Sequence, residues 1–433
     1  MNINTLLLLF GLVAPISNTV LPLRRRTFPS LSSVTVANTG EGNFFDTDVM
    51  LGSSTFKLLV DTGSSDTWVV RTGYQCFDKQ DNANLVSQET CNYGPGATYN
   101  PLTSSTFSQL KNQSFGASYG AGIALGIVGT EDVTLGGIMV RGQTIGVADR
   151  LTIHGDGYNN GILGLGYPLL TSAHPGTSGA NDTISLLTNK VIYDPVLFRM
   201  HQQGLVPAWF SMAIERLPRG QTTGNGGVLG LGELPDVKTS GPFIAVPVEV
   251  TEALPLELTG GKRTITEWTL TVEAVTWRSA NGSKTAAPTN TNTTHFQAIV
   301  DSGNYFNELP QETADRVNAE FRPPSFYDVA TDSYPVACDA VPPPFGVTIA
   351  GTTFYQRSAD MVFQSPDGTC VSTVKRSSRL GDIALSFLGD VFLHNVVAVF
   401  DFGKNEMRFA PRADGGGFTP KGPKKPCGSL TDS

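Results

Sequence analysis

Two aspartates in matching settings are the residues of this 433-residue chain best placed to do chemistry. Leu58-Leu59-Val60-Asp61-Thr62-Gly63-Ser64 in the first half is echoed by Ala298-Ile299-Val300-Asp301-Ser302-Gly303-Asn304 in the second. The apolar run before each Asp fits a buried strand, and a carboxylate at its end is costly to bury alone. Gly63 and Gly303 permit tight turns and the close approach of another backbone. Thr62 and Ser302 offer hydroxyls that can brace those turns. If two related halves meet at an approximate two-fold axis, the carboxyls converge, and like charges that close cannot both ionise easily. One proton is then shared and the pair titrates as a unit. Its ionised member can take a proton from water as that water attacks a carbonyl, while its protonated member donates to the carbonyl oxygen. No metal, cofactor or covalent intermediate is required.

The elements that must position such a pair are also repeated. Each Asp motif is followed downstream by an apolar-apolar-Gly element, Ile162-Leu163-Gly164 and then Phe387-Leu388-Gly389. Two such pairs in the same order imply two related lobes rather than a many-unit array. The 47 glycines and 27 prolines favour an all-β architecture rich in turns. Val34 to Val60 reads as strands broken by Gly and Asn, and short strands continue to about Gly166. Helical periodicity is sparse and predicts helices only over Asp194 to Gln203 and Gln311 to Phe321, the latter opening after Pro310. Gly220 to Gly227 is polar and glycine-rich, Val228 to Leu231 reads as a strand, and Asn281 to Thr294 as an exposed loop. The expected division is an N-terminal lobe over 27–219, a C-terminal lobe over 220–412 and a polar tail over 413–433.

A formal net charge of −8 argues against nucleic acid, whose phosphates call for clustered Lys and Arg. Leu6 to Ile16 form an apolar stretch too short to span a bilayer, read as the centre of an export signal over 1–17. The other reading of that stretch is a buried first strand. Residues 18–26 form a short leader. No later apolar segment is long enough to cross a membrane, and the polar tail carries no lipid-anchor signal, so no membrane partner is expected. Cys76 and Cys91 would close one local loop and Cys338 and Cys370 a second, as in an oxidising compartment. Sequence leaves the connectivity open, with Cys427 left over. Asn112, Asn181, Asn281 and Asn292 head glycosylation sequons. The five histidines are scattered, without metal-ligand spacing.

From about Val34 to Pro411 the chain resembles the pepsin-like aspartic endopeptidase family. Asp61-Thr62-Gly63-Ser64-Ser65-Asp66-Thr67-Trp68 is similar to the family's first active-site motif, and Tyr119-Gly120-Ala121-Gly122 to its flap, a hairpin that closes over peptide. Gly161 to Gly166 and Phe387 to Phe392 resemble the segments threading behind each Asp loop, and Val399-Phe400-Asp401 the closing strand. The resemblance implies an all-β, bilobal fold with a substrate cleft between two related lobes, and Asp61 and Asp301 as catalytic residues. It implies substrate contacts from Tyr119, Gly63, Gly120, Gly303 and Asn304, and support of the site by Thr62, Ser64, Trp68 and Ser302. The enzyme it implies is a secreted monomer hydrolysing peptide or unfolded protein at acid pH. The chain departs from the family at Asn304, where Thr or Ser is usual, and in its leader, short for a family that commonly carries an inhibitory prosegment. Leu23-Arg24-Arg25-Arg26 reads either as a processing site or as arginines that pair with the two aspartates.

Two other readings compete. A catalytically silent, aspartic-protease-like binding or inhibitor protein would typically lose an Asp or the Gly after it; this chain keeps both and departs only at Asn304. Gly116-Ala117-Ser118-Tyr119-Gly120 matches the nucleophile elbow of serine hydrolases, with Ser118 as nucleophile. That motif needs a following helix, and the glycines at 120, 122 and 126 favour a hairpin instead. Asp390 and Asp401 read as hydrogen-bonding anchors.

Overall fold

The computed structural model describes residues 32–79, 83–94, 98–176, 188–218, 221–278, 290–380 and 382–414. The expected export signal and leader, the sequons at Asn181 and Asn281, and Cys427 lie outside them.

Alternation of side chains builds the strands. In Ser32–Thr39, Val34 and Val36 are buried while Ser33 and Thr35, which alternate with them, are exposed. That strand pairs with Phe44–Leu51, which pairs with Ser54–Asp61, covering the region read as strands from sequence. Ser54–Asp61 is too apolar to face water and lies in the interior of a large mixed sheet, with Gly161–Gly164 beside it in parallel, Asp61 opposite Gly164. Gly161–Gly164 then pairs antiparallel with Thr67–Phe77. The second half repeats this plan. Phe296–Val300 runs parallel to Ile383–Leu388, Val300 opposite Leu388, and Ile383–Leu388 pairs antiparallel with Asn307–Leu309. Both elements place a strand behind an Asp loop, and both end in a glycine for the same steric reason. A Cβ on Gly164 would lie 2.5 Å from the carbonyl carbon of Ser65, and one on Gly389 would lie 2.2 Å from the carbonyl oxygen of Asn304.

The halves are sewn together by backbone pairing. Ser32–Thr39 pairs with Gly224–Leu231, that strand with Trp209–Ile214, and Trp209–Ile214 with Val396–Asp401 near the end of the chain. One sheet therefore carries strands from both sides of residue 219. Trp268 packs tilted or edge-on among Tyr167, Phe210 and Phe400 with ring centroids 4.7–5.8 Å away, and its indole N–H donates to the carbonyl of Leu165 at 3.0 Å. The fold is all-β and bilobal. Cys76 is bonded to Cys91 and Cys338 to Cys370.

Three readings of local structure are corrected. The first predicted helix is Val196–Gln202 rather than Asp194 to Gln203, because Pro195 holds extended backbone at its N-cap and disfavours helical backbone at Asp194. The second is Gln311–Asn318, and only single turns carry the chain on to Phe321 ahead of Pro323. The C-terminal end of the expected loop at Asn281 to Thr294 is a strand, Asn290–Asn292, paired with Ala274–Trp277. There the Asn292 side chain donates from Nδ2 to Thr313 Oγ1 at 2.8 Å, whereas Asn112 is exposed.

Asp46, on the strand Phe44–Leu51, is fully buried with Oδ2 accepting from Thr39 Oγ1 at 2.5 Å and Oδ1 without a partner. Burial, and then the neighbouring Asp156 charge, push its pKa from 3.8 to about 7. A raised folded pKa means that the native state holds the proton more tightly than the unfolded chain. This group's contribution is then complete below pH about 4 and lost as pH rises through about 7, to a total on the order of 4 kcal/mol. Asp46→Asn is expected to flatten the fall of Tm with pH across that window. Identical slopes in the two proteins, followed by calorimetry, would rule Asp46 out as the source.

Candidate active site

Asp61 ends its strand and Asp301 directly follows its own, so both begin the sharp turns that Gly63 and Gly303 complete. Behind them, the Leu165 N–H donates to the Asp61 carbonyl at 2.8 Å, and the Asp301 N–H to the Leu388 carbonyl at 3.1 Å. In front, the two loops grip each other. Thr62 Oγ1 donates to the Val300 carbonyl at 2.8 Å and accepts the Ser302 N–H at 2.9 Å. Reciprocally, Ser302 Oγ donates to the Val60 carbonyl at 2.8 Å and accepts the Thr62 N–H at 3.1 Å. All four bonds are buried.

This grip brings the carboxyls together. A Cβ on Gly63 would lie 2.5 Å from the Asp301 Cγ, and one on Gly303 would lie 2.4 Å from Asp61 Oδ1. Each carboxyl thus rests on the glycine of the opposite loop, where no other residue type would leave room. The charge of each carboxyl is felt at the other, most clearly at Asp301. Their surroundings differ. Asp61 accepts the Gly63 N–H at 2.8 Å and the Ser64 hydroxyl at 2.5 Å, which support its charge against the cost of burial. Asp301 accepts the Gly303 N–H at 2.8 Å. Burial, followed by the Asp61 charge, pushes its pKa well above the usual carboxyl range.

The asymmetry traces to Asn304, which occupies in the second loop the place of Ser64 in the first. Its Oδ1 accepts the Phe306 N–H at 3.1 Å, closing a local turn favoured by Asn, and its Nδ2 donates to Glu308 Oε1 at 3.2 Å. The side chain is engaged with its own loop and with Glu308.

Tyr119 lies at the end of the hairpin formed by Ser108–Tyr119 and Gly122–Leu135, with Gly120 and Ala121 at the tip. Trp68 Nε1 donates to the Tyr119 hydroxyl at 2.8 Å. Burial raises the Tyr119 pKa far above its ordinary value, so the phenol stays a neutral donor. Tyr119, Gly63 and Ser64 line a cavity of ≈ 160 Å³ in the cleft. Ser118 sits inside the hairpin opposite Ile123, and a turn and strand follow it where a nucleophile elbow needs a helix.

Several further buried acids surround the aspartates; Glu267 and Glu308 carried no sequence signal, and the anchor role read for the Asp390 side chain is not what the structure shows. Asp66 accepts the Ser172 N–H at 2.8 Å and the Tyr193 hydroxyl. Glu308 accepts the Ser378 N–H at 2.9 Å. Asp390, whose N–H donates to the Asn304 carbonyl at 2.8 Å, has a buried carboxyl without a partner. Asp401, by contrast, caps a turn through the Lys404 N–H at 2.9 Å. Burial pushes the pKa values of Asp66, Glu267, Glu308 and Asp390 upward. Among the described residues, the only His/Cys/Asp/Glu group compact enough for a metal is Cys76, Cys91 and His154, and its sulfurs are spent in a disulfide.

Known proteins resemble this chain in sequence and in fold. The profile of the family described as eukaryotic aspartyl protease matches residues 44–412. A protein of Aspergillus fumigatus named "Probable aspartic-type endopeptidase" is 35% identical over 387 residues, spanning 88% of this chain and 81% of the relative. Rhizopuspepsin of Rhizopus chinensis is 28% identical, over 83% of this chain and 75% of its own. In fold, the chain is similar to the crystal structure of an aspartic proteinase from Irpex lacteus, with a TM-score of 0.62 at 21% identity, covering 89% of this chain and 98% of that one.

Ser302→Ala and Thr62→Val each strip a hydroxyl from the buried grip and orphan two backbone groups on the opposite loop. Each is expected to cost about 1–3 kcal/mol in denaturant unfolding. Because both remove the same cross-link, the double variant should lose less than the sum of the singles. Strict additivity would show that the loops are held independently.

Proposed function

The chain belongs to the eukaryotic aspartyl protease family and is an aspartic-type endopeptidase, and on that premise we propose that it is secreted, works at acid pH as a monomer, and uses Asp61 and Asp301 as its catalytic pair. The observation that carries this reading is the packing of each carboxyl on the glycine of the opposite loop. In the reaction, Asp61 is the ionised base, supported by Gly63 and Ser64, and Asp301 is the acid. Water held between them gives a proton to Asp61 as its oxygen bonds to the peptide carbonyl carbon, while Asp301 protonates the carbonyl oxygen. In the collapse of the tetrahedral diol, Asp61 passes its proton to the leaving nitrogen, the C–N bond breaks, and a diol hydroxyl returns a proton to Asp301. The pair is thereby restored.

The substrates are peptides and unfolded proteins, bound extended so that their backbone hydrogen-bonds as a strand would. Tyr119, Gly120, Gly63, Gly303 and Asn304 line its path, with Thr62, Ser64, Trp68 and Ser302 as supports. One lobe over 27–219 and another over 220–412 each supply one aspartate. Export is supported by the apolar stretch Leu6 to Ile16, by two disulfides and by the sequon at the exposed Asn112. Among the described residues no helix is long and apolar enough to cross a membrane. Acid operation follows from the need to keep one proton on the pair.

Asp61→Asn and Asp301→Asn are each expected to lower kcat on an unfolded protein substrate by about 10³-fold or more, with the thermal transition retained. Normal turnover by either variant defeats the assignment. Asn304→Thr returns a hydroxyl to the second loop and releases Glu308. Its hydrogen bond would favour ionised Asp301, so the alkaline limb of the kcat–pH curve is expected to move to lower pH. An unmoved limb would mean that position 304 does not reach Asp301.

A further inference from the structure

Glu267 stands just before the strand Thr269–Val272, in which Thr269 lies opposite Ile299 and the Trp268 carbonyl accepts the Val300 N–H at 2.9 Å. The next step along that ladder sets Glu267 level with Asp301. Its side chain lines the cleft cavity that Ser64 and Tyr119 also line, and is 9% exposed. Glu267 Oε2 is buried and has no hydrogen-bond partner. Lys190 lines the same cavity, donates to the Leu170 carbonyl at 3.4 Å, and forms no ion pair with Glu267 among the described residues. Leu170, Leu254 and Leu258 supply apolar wall.

A buried carboxyl without a partner is costly, and the cost is relieved if its partner arrives with the ligand. The charged groups facing Glu267 are Asp61, Asp301 and Lys190, with Asp66 beyond Lys190. As these carboxyls ionise they outnumber the single cation, and the local field then favours an incoming positive charge. Leucine walls around a deep acid suit a side chain with a long apolar stem and a cationic head.

We propose that this cavity is a specificity pocket for a lysine or arginine side chain of the peptide substrate, with Glu267 recognising its charge. The inference rests on Asp61 and Asp301 being the catalytic pair. The leucines pack the stem and the head reaches Glu267 Oε2. Lys190 opposes the incoming cation and tempers the preference. Burial and then the Asp301 and Asp61 charges hold Glu267 protonated at low pH. The ion pair accordingly strengthens as pH rises and Glu267 ionises.

The test uses the full secreted enzyme and fluorogenic peptides carrying lysine, norleucine or glutamate in turn at each position flanking the cut. At one position the lysine-to-norleucine ratio of kcat/KM is expected to be about tenfold, equivalent to one ion pair of about 1.4 kcal/mol, and to rise with pH. Glu267→Gln should bring that ratio to about one and abolish its pH dependence, and Lys190→Met should raise it. A preference for glutamate at the responsive position, or a ratio indifferent to both substitutions, overturns the proposal. The ratio is internal to each variant, so loss of total activity does not mask the result. Asp301→Asn separates the two ideas. If it stops cleavage of all three peptides while the ratio ignores Glu267, only the pocket is wrong; if it leaves cleavage normal, the catalytic pair is wrong as well.

Discussion

Two carboxyl groups repel each other, and a protein that needs them in contact must hold their backbones by something stronger than that repulsion. Here the restraint is the set of four buried hydrogen bonds exchanged by Thr62 and Ser302. Each hydroxyl donates to a carbonyl of the other half and accepts an N–H from it, so neither loop can withdraw without orphaning groups on both. The aromatic cluster of Tyr167, Phe210, Trp268 and Phe400 lies beneath as a rigid floor. With the backbones fixed, the two glycines admit the carboxyls from either side.

The burial that raises the pKa values of Asp61 and Asp301 acts on their surroundings as well. Glu267, Glu308 and Asp390 are all pushed toward the neutral form, and Asp46 titrates at about 7 on a more distant strand. Each such carboxyl binds its proton more tightly folded than unfolded, so each favours the native state in acid and loses that advantage as pH rises. These upward shifts have one cause, carboxyls kept from water. Within the pair, hydrogen bonding distinguishes the members. Ser64 reaches Asp61, while Asn304 spends its polar atoms on Phe306 and Glu308.

Most of the fold was legible because its main devices are periodic or repeated. Alternating Val34 and Val36, the doubled Asp motifs and the doubled apolar-apolar-Gly elements each had one physical solution, and the structure adopts it. Helix ends were less legible, since Pro195 and Pro323 override the periodicity on which they were read. The strand at Asn290–Asn292 was hidden because asparagine disfavours strands, and its residues are held there by pairing with Ala274–Trp277. In the site, residues inside the motifs could be found, whereas Glu267, Glu308, Lys190 and Tyr193 could not. Their contacts to the site come from tertiary packing, and nothing in their local sequence marks them.

The sheet that joins the halves pairs Ser32–Thr39 with Gly224–Leu231, and Trp209–Ile214 with Val396–Asp401. A chain emerging from the ribosome cannot complete that order of strands until its last hairpin, ending at Pro411, has been synthesised. Contacts of such long range also assemble slowly. A chain cut short before that hairpin leaves Trp209–Ile214 without its neighbour, so the seam between the halves exists only once synthesis has passed Pro411.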